Sequence, residues 1–260
     1  MLTIRKEVSN NHKMILAVLS FVAFMTLWFG LTVWNILPPF SLPHPLGVIK
    51  ALGGLWTENN LLGNVAMSWW RIFQAFAWCV VVAVPLGLLM ASFKAVDAFV
   101  NPVTAPMRSM PITAFLPVFL AIFGMDETMK IAFLFFGMFF SLLAIVTDEV
   151  NKVEPVLLET AYTLGAKKHQ VLWLMFRSSI PAIFSSFRIL YDIGWTYVIL
   201  AEMVNARKGV GYMIEAARKM MDFDRVYAGI IALGIAAFLF RILLSQIEYY
   251  IFPNRRPKKA

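Results

Sequence analysis

The sequence is poor in the residues from which active sites are usually built. It has a single cysteine, Cys79, so no disulfide can form within the chain. Its three histidines, His12, His44 and His169, stand in separate segments without the spacing of a zinc site. The phosphate-binding pattern G-x-x-x-x-G-K-[ST] does not occur. These absences argue against an enzyme, and they predict that the chain itself holds no metal, cofactor or ATP.

Charged side chains are scarce as well. They make up 15% of the residues, against 60% hydrophobic residues, and the mean hydropathy is +0.73. A soluble domain cannot cover that much apolar surface, so the composition indicates an integral membrane protein. The net charge of +8 comes partly from basic residues near both ends. There is no continuous basic face of the kind that binds nucleic acid, and flanking positive charge is typical of a protein surrounded by lipid.

Six apolar segments are each close to the roughly 20 residues that cross the hydrocarbon of a bilayer. The fold class predicted from them is an all-α transmembrane bundle of six spans. The first is interpreted as a span and not a signal peptide, because the run is long and no A-x-A-like site follows it. The third is interrupted by Pro111 and Pro117. The predicted spans are 14–34, 72–92, 107–124, 130–147, 182–204 and 226–250.

Two of the connections between spans carry helical signals of their own. In 35–70, four prolines exclude a helix through the first part, but 47–56 favours a short helix at the membrane interface. In 205–225, the spacing of Ile214, Ala217 and Met221 predicts a short amphipathic helix. Asp224 is placed to cap the last span.

The distribution of lysine and arginine orients the bundle. Basic residues are more frequent in the connections that a six-span count places inside, so we expect a multi-pass protein with both termini in the cytoplasm. No inverted repeat of the kind found in secondary transporters is visible. The basic residues assigned to the outer side are Lys50, Arg71, Lys130, Arg207, Lys208, Arg218, Lys219 and Arg225.

The longest polar stretch able to form helix is 154–183, which lies between the fourth and fifth spans. Pro155 suits the first position of a helix, and Gly165 suits a left-handed residue after a helix end. A second helix is predicted from Lys167 to a stop at Pro181. The sequence therefore predicts two short helices that meet at a sharp corner on the cytoplasmic side.

This corner resembles a known motif. Glu159-Thr160-Ala161, Gly165 and Ile180-Pro181 resemble the EAA signature of ABC importer permeases, with Thr160 in place of the middle alanine. The resemblance implies a type I permease fold in which the loop 148–181 forms coupling helices that dock on a cytoplasmic ATPase subunit. The residues it assigns to coupling are Glu159, Thr160, Ala161, Tyr162, Leu164, Gly165 and Ala166.

Further motifs narrow the resemblance to the nitrate, sulfonate, taurine and bicarbonate branch of these permeases. They are Leu37-Pro38, Arg108-Ser109-Met110-Pro111, and Ala201-Glu202-Met203 followed by Gly209-Val210-Gly211. The resemblance implies the permease subunit of an ATP-driven importer of a small polar solute in a prokaryotic cytoplasmic (inner) membrane. The implied partners are two ATP-binding subunits that hold ATP and Mg, a second permease copy forming a homodimer, and an extracytoplasmic solute-binding protein.

The resemblance also divides the chain. Residues 1–63 would contain the cytoplasmic N-terminus, the first span and an outer proline-rich loop. Residues 64–250 would form the permease core with its coupling loop, and 251–260 a basic cytoplasmic tail.

Several charges near the fifth span are candidates for function. Arg188 and Asp192 lie four residues apart, so they can pair across one helical turn and border the translocation pathway. The interpretation we favour is a structural ion pair, or an Arg188 that reaches back to the cytoplasmic interface. An acid in a pathway repels anions, which leaves room for a zwitterionic or cationic substrate. Glu202 and Arg207, near the outer end, are candidate contacts for the binding protein. Glu202 is also a candidate partner of Arg207, or an interface charge without a special role.

Two other classes of protein remain as alternatives. An ATP-independent secondary transporter or channel would work without a partner ATPase. A membrane-embedded enzyme would need a cluster of polar catalytic residues, which the sequence does not supply.

Overall fold

The computed structural model describes residues 9–34, 38, 40–204 and 206–253. Within these ranges the chain is helical and contains no strand, as the sequence predicts. A short 3-10 helix, Ile112–Phe115, lies between the fourth and fifth α-helices. The ten α-helices are α1 (Asn10–Val33), α2 (Pro45–Thr57), α3 (Leu61–Ser92), α4 (Lys94–Ser109), α5 (Leu116–Phe123), α6 (Glu127–Asn151), α7 (Pro155–Thr163), α8 (Lys168–Met203), α9 (Val210–Lys219) and α10 (Phe223–Ile251).

The core of the bundle is formed by α3, α6 and α8. Small residues let these helices approach closely, as is usual between helices in membranes. At Gly87 of α3, a Cβ would lie 2.7 Å from the side chain of Val146 on α6. At Gly194 of α8, it would lie 2.8 Å from Ile72 on α3. Trp195 fills the centre and is 2% exposed.

The membrane spans agree with the prediction in most places. α1, α3, α6 and α10 are long and apolar enough to cross a bilayer. The third span is different: α4 and the 3-10 helix with α5 form a pair bent by 99°. The predicted boundary at 107 falls inside α4, which begins at Lys94. α8 contains most of the predicted fifth span and is 36 residues long. Its charged and hydroxyl side chains lower its hydropathy, so it is not among the helices apolar enough to cross a bilayer by length and composition.

Pro181 does not end a helix as predicted. α8 continues through it to Met203. A proline removes one backbone hydrogen bond from a helix, and packing in a bundle compensates for that loss. The coupling loop is thus joined without a break to the fifth span.

The ends of the helices that lie away from α7 are covered by α2 and α9, which both pack on α10. The predicted short helices are both present. Ile214 and Ala217 of α9 are buried, but Met221 lies beyond the helix and is 68% exposed. The cap of α10 is Asp222, whose side chain accepts a hydrogen bond from the backbone N–H of Arg225, so the assignment of the cap to Asp224 is wrong.

Candidate functional site

The corner at Gly165 is a glycine-terminated helix end. α7 ends at Thr163, and Gly165 has φ +83°, in the left-handed region that favours glycine. The N–H of Ala166 donates to the carbonyl of Ala161 at 3.0 Å, and the N–H of Gly165 donates to that of Tyr162 at 2.9 Å. These two bonds are the Schellman pattern of a helix C-terminus. The predicted corner is confirmed, and its shape is set by backbone hydrogen bonds.

The two faces of this corner differ in exposure. Ala161 and Ala166 are half-buried against the core of the bundle. Tyr162 is 54% and Leu164 is 81% exposed, and Val156 at the start of α7 is 67% exposed. Large apolar side chains grouped on an exposed surface are typical of a protein–protein contact. We call the exposed face formed by Val156, Glu159, Tyr162, Leu164 and Gly165 the elbow surface.

The junction between the two helices of the corner is stabilised by side chains. The Gln170 side chain accepts a hydrogen bond from the backbone N–H of Lys167 at 2.7 Å at the start of α8. Thr160 donates its hydroxyl hydrogen to the carbonyl of Val156 at 2.7 Å. Because α8 runs on into the bundle, a displacement of the elbow surface moves the whole of α8.

A buried ionic cluster closes the end of the core that lies away from the elbow surface. Arg71 of α3, 1% exposed, is its centre. Its guanidinium donates to both carboxylate oxygens of Glu127 on α6, at 2.6 and 2.8 Å. It also donates to Glu202 of α8 at 2.7 Å and to the carbonyl of Lys208 at 2.8 Å. Lys130 lies 3.0 Å from Glu127 and adds a second positive charge. The cluster joins α3, α6, α8 and the segment before α9.

Glu202 is the buried acid of this cluster. Besides Arg71, its carboxylate accepts hydrogen bonds from the Ser68 hydroxyl at 2.9 Å and from the Gly211 N–H at 2.8 Å. A Cβ at Gly211 would lie 2.8 Å from the carbonyl oxygen of Ile199, so only glycine permits this approach. The Gly209-Val210-Gly211 segment thus serves to place a backbone N–H on a buried carboxylate.

These positions correct one expectation and leave another open. Arg71 and Lys130 are buried in the ionic cluster, and the side of the membrane assigned to them stays a prediction. The side chain of Glu202 has no exposed area, so its expected contact with a binding protein is wrong for this conformation. Arg207 is exposed, and its contact with a binding protein stays a prediction. Sequence reasoning missed the cluster because Arg71 and Glu202 are 131 residues apart in the chain.

The charges of the fifth span pair with α10 and not with each other. Arg188 lies 3.3 Å from Glu248, and Asp192 lies 3.6 Å from Arg241. Glu248 also accepts a hydrogen bond from the Ser185 hydroxyl. The expected pairing along α8 is therefore wrong, since the two helices present complementary charges to each other. Whether this seam borders the pathway stays a prediction.

Outside the membrane-spanning segments, one carboxylate has a perturbed pKa. Glu215 of α9 accepts two hydrogen bonds from Arg218, both at 2.7 Å. These bonds and the adjacent positive charge lower the pKa of the Glu215 carboxyl. In the described ranges of the chain, no three His, Cys, Asp or Glu side chains come together as a metal site would require.

Comparison with known proteins supplies the context for this geometry. Residues 83–257 match the family described as "binding-protein-dependent transport system inner membrane component". The chain is 27% identical over 249 residues to the taurine transport system permease protein TauC of Escherichia coli, covering 94% of this chain and 90% of that protein. It is 27% identical over 208 residues to the putative aliphatic sulfonates transport permease protein SsuC of Bacillus subtilis, covering 80% of this chain and 75% of that protein.

A solved structure shares the fold. A chain of the MetNI methionine ABC transporter, in an inward-facing conformation, superposes with a TM-score of 0.62. The identity is 16%, and the match covers 76% of this chain and 98% of that one. At this identity the likeness concerns the fold.

Proposed function

This chain belongs to the family of binding-protein-dependent transport system inner membrane components, and from that premise we propose how it works and what it carries. It is the multi-pass permease component of an ABC importer. Its role is to form the path through the membrane. Hydrolysis of ATP takes place on a separate subunit, which holds ATP and Mg.

The elbow surface is the docking site through which the ATPase moves the permease. Two ATPase subunits each bind one elbow surface of a homodimer of this chain. When ATP brings the ATPase subunits together, each elbow surface is displaced, and the continuous α8 transmits the displacement into the core. A solute-binding protein docks on the opposite side, where Arg207 is exposed. The chain termini then lie in the cytoplasm. The observation that carries this proposal is the exposed apolar face of α7, held rigid by the Gly165 turn.

The substrate is a small sulfonate of the taurine type. The support is the likeness to permeases named for taurine and aliphatic sulfonates. Nitrate and bicarbonate share the oxyanion chemistry of the sulfonate group, and a solute that carries no oxyanion group does not. Arg188 pairs with Glu248 of α10, and Asp192 pairs with Arg241 of α10. Because each of these acids is paired with an arginine, Asp192 no longer argues against an anionic substrate.

The test replaces Gly165 by glutamate and measures binding to the ATPase. The complex is co-expressed from its own genes, purified through the ATPase subunit and reconstituted with the binding protein. Gly165→Glu adds a charged side chain to the elbow surface at a residue with φ +83°, so we expect loss of the ATPase and of uptake while the chain remains in the membrane. The matched control is Gly53→Glu on α2, at the opposite end of the bundle, where a Cβ meets nothing within 4 Å.

The outcomes separate the alternatives. ATP-dependent uptake of labelled taurine by the wild type supports the importer and its substrate. Uptake without ATPase subunits would show a secondary transporter or channel. A Gly165→Glu complex that still couples ATP hydrolysis to uptake contradicts the proposed role of the elbow surface.

A further inference from the structure

The helix α4 has its polar side turned inward. Its polar residues recur at intervals of four, three and four, which places them on one face of a helix. The opposite face is apolar, and there Phe99 is 84% and Val103 is 62% exposed. A helix that faced water would have the reverse arrangement. The residues of the inward face, which we call the polar stripe, are Asp97, Asn101, Thr104 and Arg108.

The polar stripe lines a cavity in the inner half of the bundle. The cavity has a volume of about 170 Å³ and is closed on the other side by α6, through Phe140, Thr147 and Asp148. Asp97 is three residues from the start of α4, and Asp148 is three residues from the end of α6. The two carboxylates therefore lie at the cytoplasmic end, and Arg108 lies at the other end, about 16 Å further along α4 at ~1.5 Å per residue.

Arg108 lies near the middle of the membrane-spanning part. It stands one residue before the end of α4 at the 99° bend. Ile112, four residues later, packs against α6 at Gly137, where a Cβ would lie 2.3 Å from the Ile112 side chain. Gly137 is close to the midpoint of α6, which runs from Glu127 to Asn151. The start of the bend is thus level with the middle of α6.

The Arg108 side chain has no hydrogen-bond or ion-pair partner within the part of the chain that the structure describes, and it is exposed to the cavity. The other deep cations, Arg71, Lys130 and Arg188, each have a carboxylate within 3.3 Å. A charge at this depth is costly unless it faces water or a compensating group, and such charges mark ion and substrate pathways. Arg108 therefore differs from its neighbours in having room for an incoming anion.

We propose that Arg108 is the oxyanion-binding residue of a site in the inner half of the translocation path, an inference that rests on the proposed importer function. Its planar guanidinium matches two oxygens of a sulfonate, carboxylate or nitrate. Asp97 and Asp148 then repel the anion at the cytoplasmic end. This repulsion keeps the residence time of the anion at Arg108 short. A transport site must bind its substrate strongly enough for entry and weakly enough for release.

The test measures the charge preference of the cavity directly. Thr104, one turn from Arg108, is changed to cysteine in the assembled complex, with Asn101→Cys as a second variant two turns away. The native Cys79 is fully buried and provides an unreactive background. Each variant is treated with a methanethiosulfonate reagent that carries either a sulfonate or a trimethylammonium group, and the ratio of the two reaction rates is compared with and without Arg108→Gln.

We expect Arg108→Gln to lower the rate ratio of sulfonate to ammonium reagent about tenfold at position 104, because positions four apart on a helix are only ~5–6 Å apart and opposite charges at such distances interact strongly. The effect should be smaller at position 101. Arg108→Lys should keep the ratio, because it keeps the charge, but should weaken uptake of labelled taurine because it loses bidentate geometry. Arg108→Gln should abolish uptake with the ATPase still bound.

Three results would overturn the proposal: an unchanged rate ratio, cysteines at both positions that neither reagent reaches, or normal uptake by the Arg108→Gln complex. The rate ratio does not depend on ATP or on the identity of the substrate. A failure of the importer function would leave this measurement intact, so the two failures can be told apart.

Discussion

Replacing Glu202 by glutamine tests whether the ionic cluster holds the outer end of the core together. The substitution keeps the size of the side chain but removes its charge. It leaves Arg71, 1% exposed, with Glu127 as its remaining carboxylate partner, and it puts an amide N–H group where three donors now converge. The segment before α9 then loses its anchor on α8.

The size of the effect follows from the number of groups left unsatisfied. Removing one partner of a buried ion pair costs about 3–5 kcal/mol, and we take the lower end, about 3 kcal/mol, because Arg71 keeps both bonds to Glu127. For a chain of this size, each kcal/mol shifts the melting temperature by about 2–4 °C. The expected loss is therefore roughly 6–12 °C.

The chain supplies its own reporter for the assay. Cys79 is the only cysteine and is buried between α3 and α6, where its thiol donates to the carbonyl of Phe135 at 3.3 Å. A maleimide dye that fluoresces on reaction with thiols therefore reports the opening of this interface as the detergent-solubilised chain is heated. The melting temperature is read from the rise in fluorescence.

The matched control is Glu215→Gln. Glu215 also carries ion pairs, but its partners Arg218 and Lys219 are more than half exposed, and such pairs contribute about 0–1 kcal/mol. We expect its melting temperature to fall by at most about 4 °C. If the melting temperature of Glu202→Gln equals that of this control or of the wild type, the ionic cluster does not stabilise the core and the reasoning is refuted.

Three further predictions use the same preparations. Gly211→Ala should lower the free energy of unfolding by about 2 kcal/mol, because its Cβ would lie 2.8 Å from a backbone carbonyl. The control Gly234→Ala, whose Cβ would have nothing within 4 Å, should be neutral or stabilising. Equal melting temperatures of the two variants would contradict this prediction. Asp192→Asn breaks the half-exposed pair with Arg241, so stability should change by less than about 1 kcal/mol while the uptake rate changes; unaltered kinetics in vesicles would argue against a pathway role. The pKa of Glu215 is lowered in the folded state, so its carboxylate stabilises the folded chain at pH values above the ordinary carboxylate pKa of 4.5. This stabilisation is lost as the pH falls through the lower folded value. Glu215→Gln should therefore remove this part of the acid destabilisation below about pH 4.5, and an identical pH profile of melting would show that the carboxylate is not responsible.

The parts of the molecule that sequence reasoning predicted correctly are local. The turn at Gly165 depends on residues within one helical turn, and the Schellman bonds connect Ala166 to Ala161. The same holds for α2 and α9, whose buried positions follow helical spacing. The spans follow from hydropathy, because a segment in a bilayer must satisfy its backbone hydrogen bonds within itself.

The errors arose where a residue's role depends on another helix. Pro181 ends isolated helices but is carried inside α8 by its neighbours. Arg188 and Asp192 are correctly spaced to pair along one helix, but α10 places Glu248 and Arg241 within reach of them. Such choices depend on which helices pack together.

The sequence by itself determined that this chain is a helical membrane protein with a glycine-bent elbow, because hydropathy and turn geometry act over short stretches of chain. Only the tertiary structure decided which charges are buried and paired. It brings Arg71 to Glu202 across 131 residues and leaves Arg108 without a partner in the described chain. The physical reason is that a charge in a low-dielectric interior is governed by the groups a few ångströms away, and helix packing determines which groups these are.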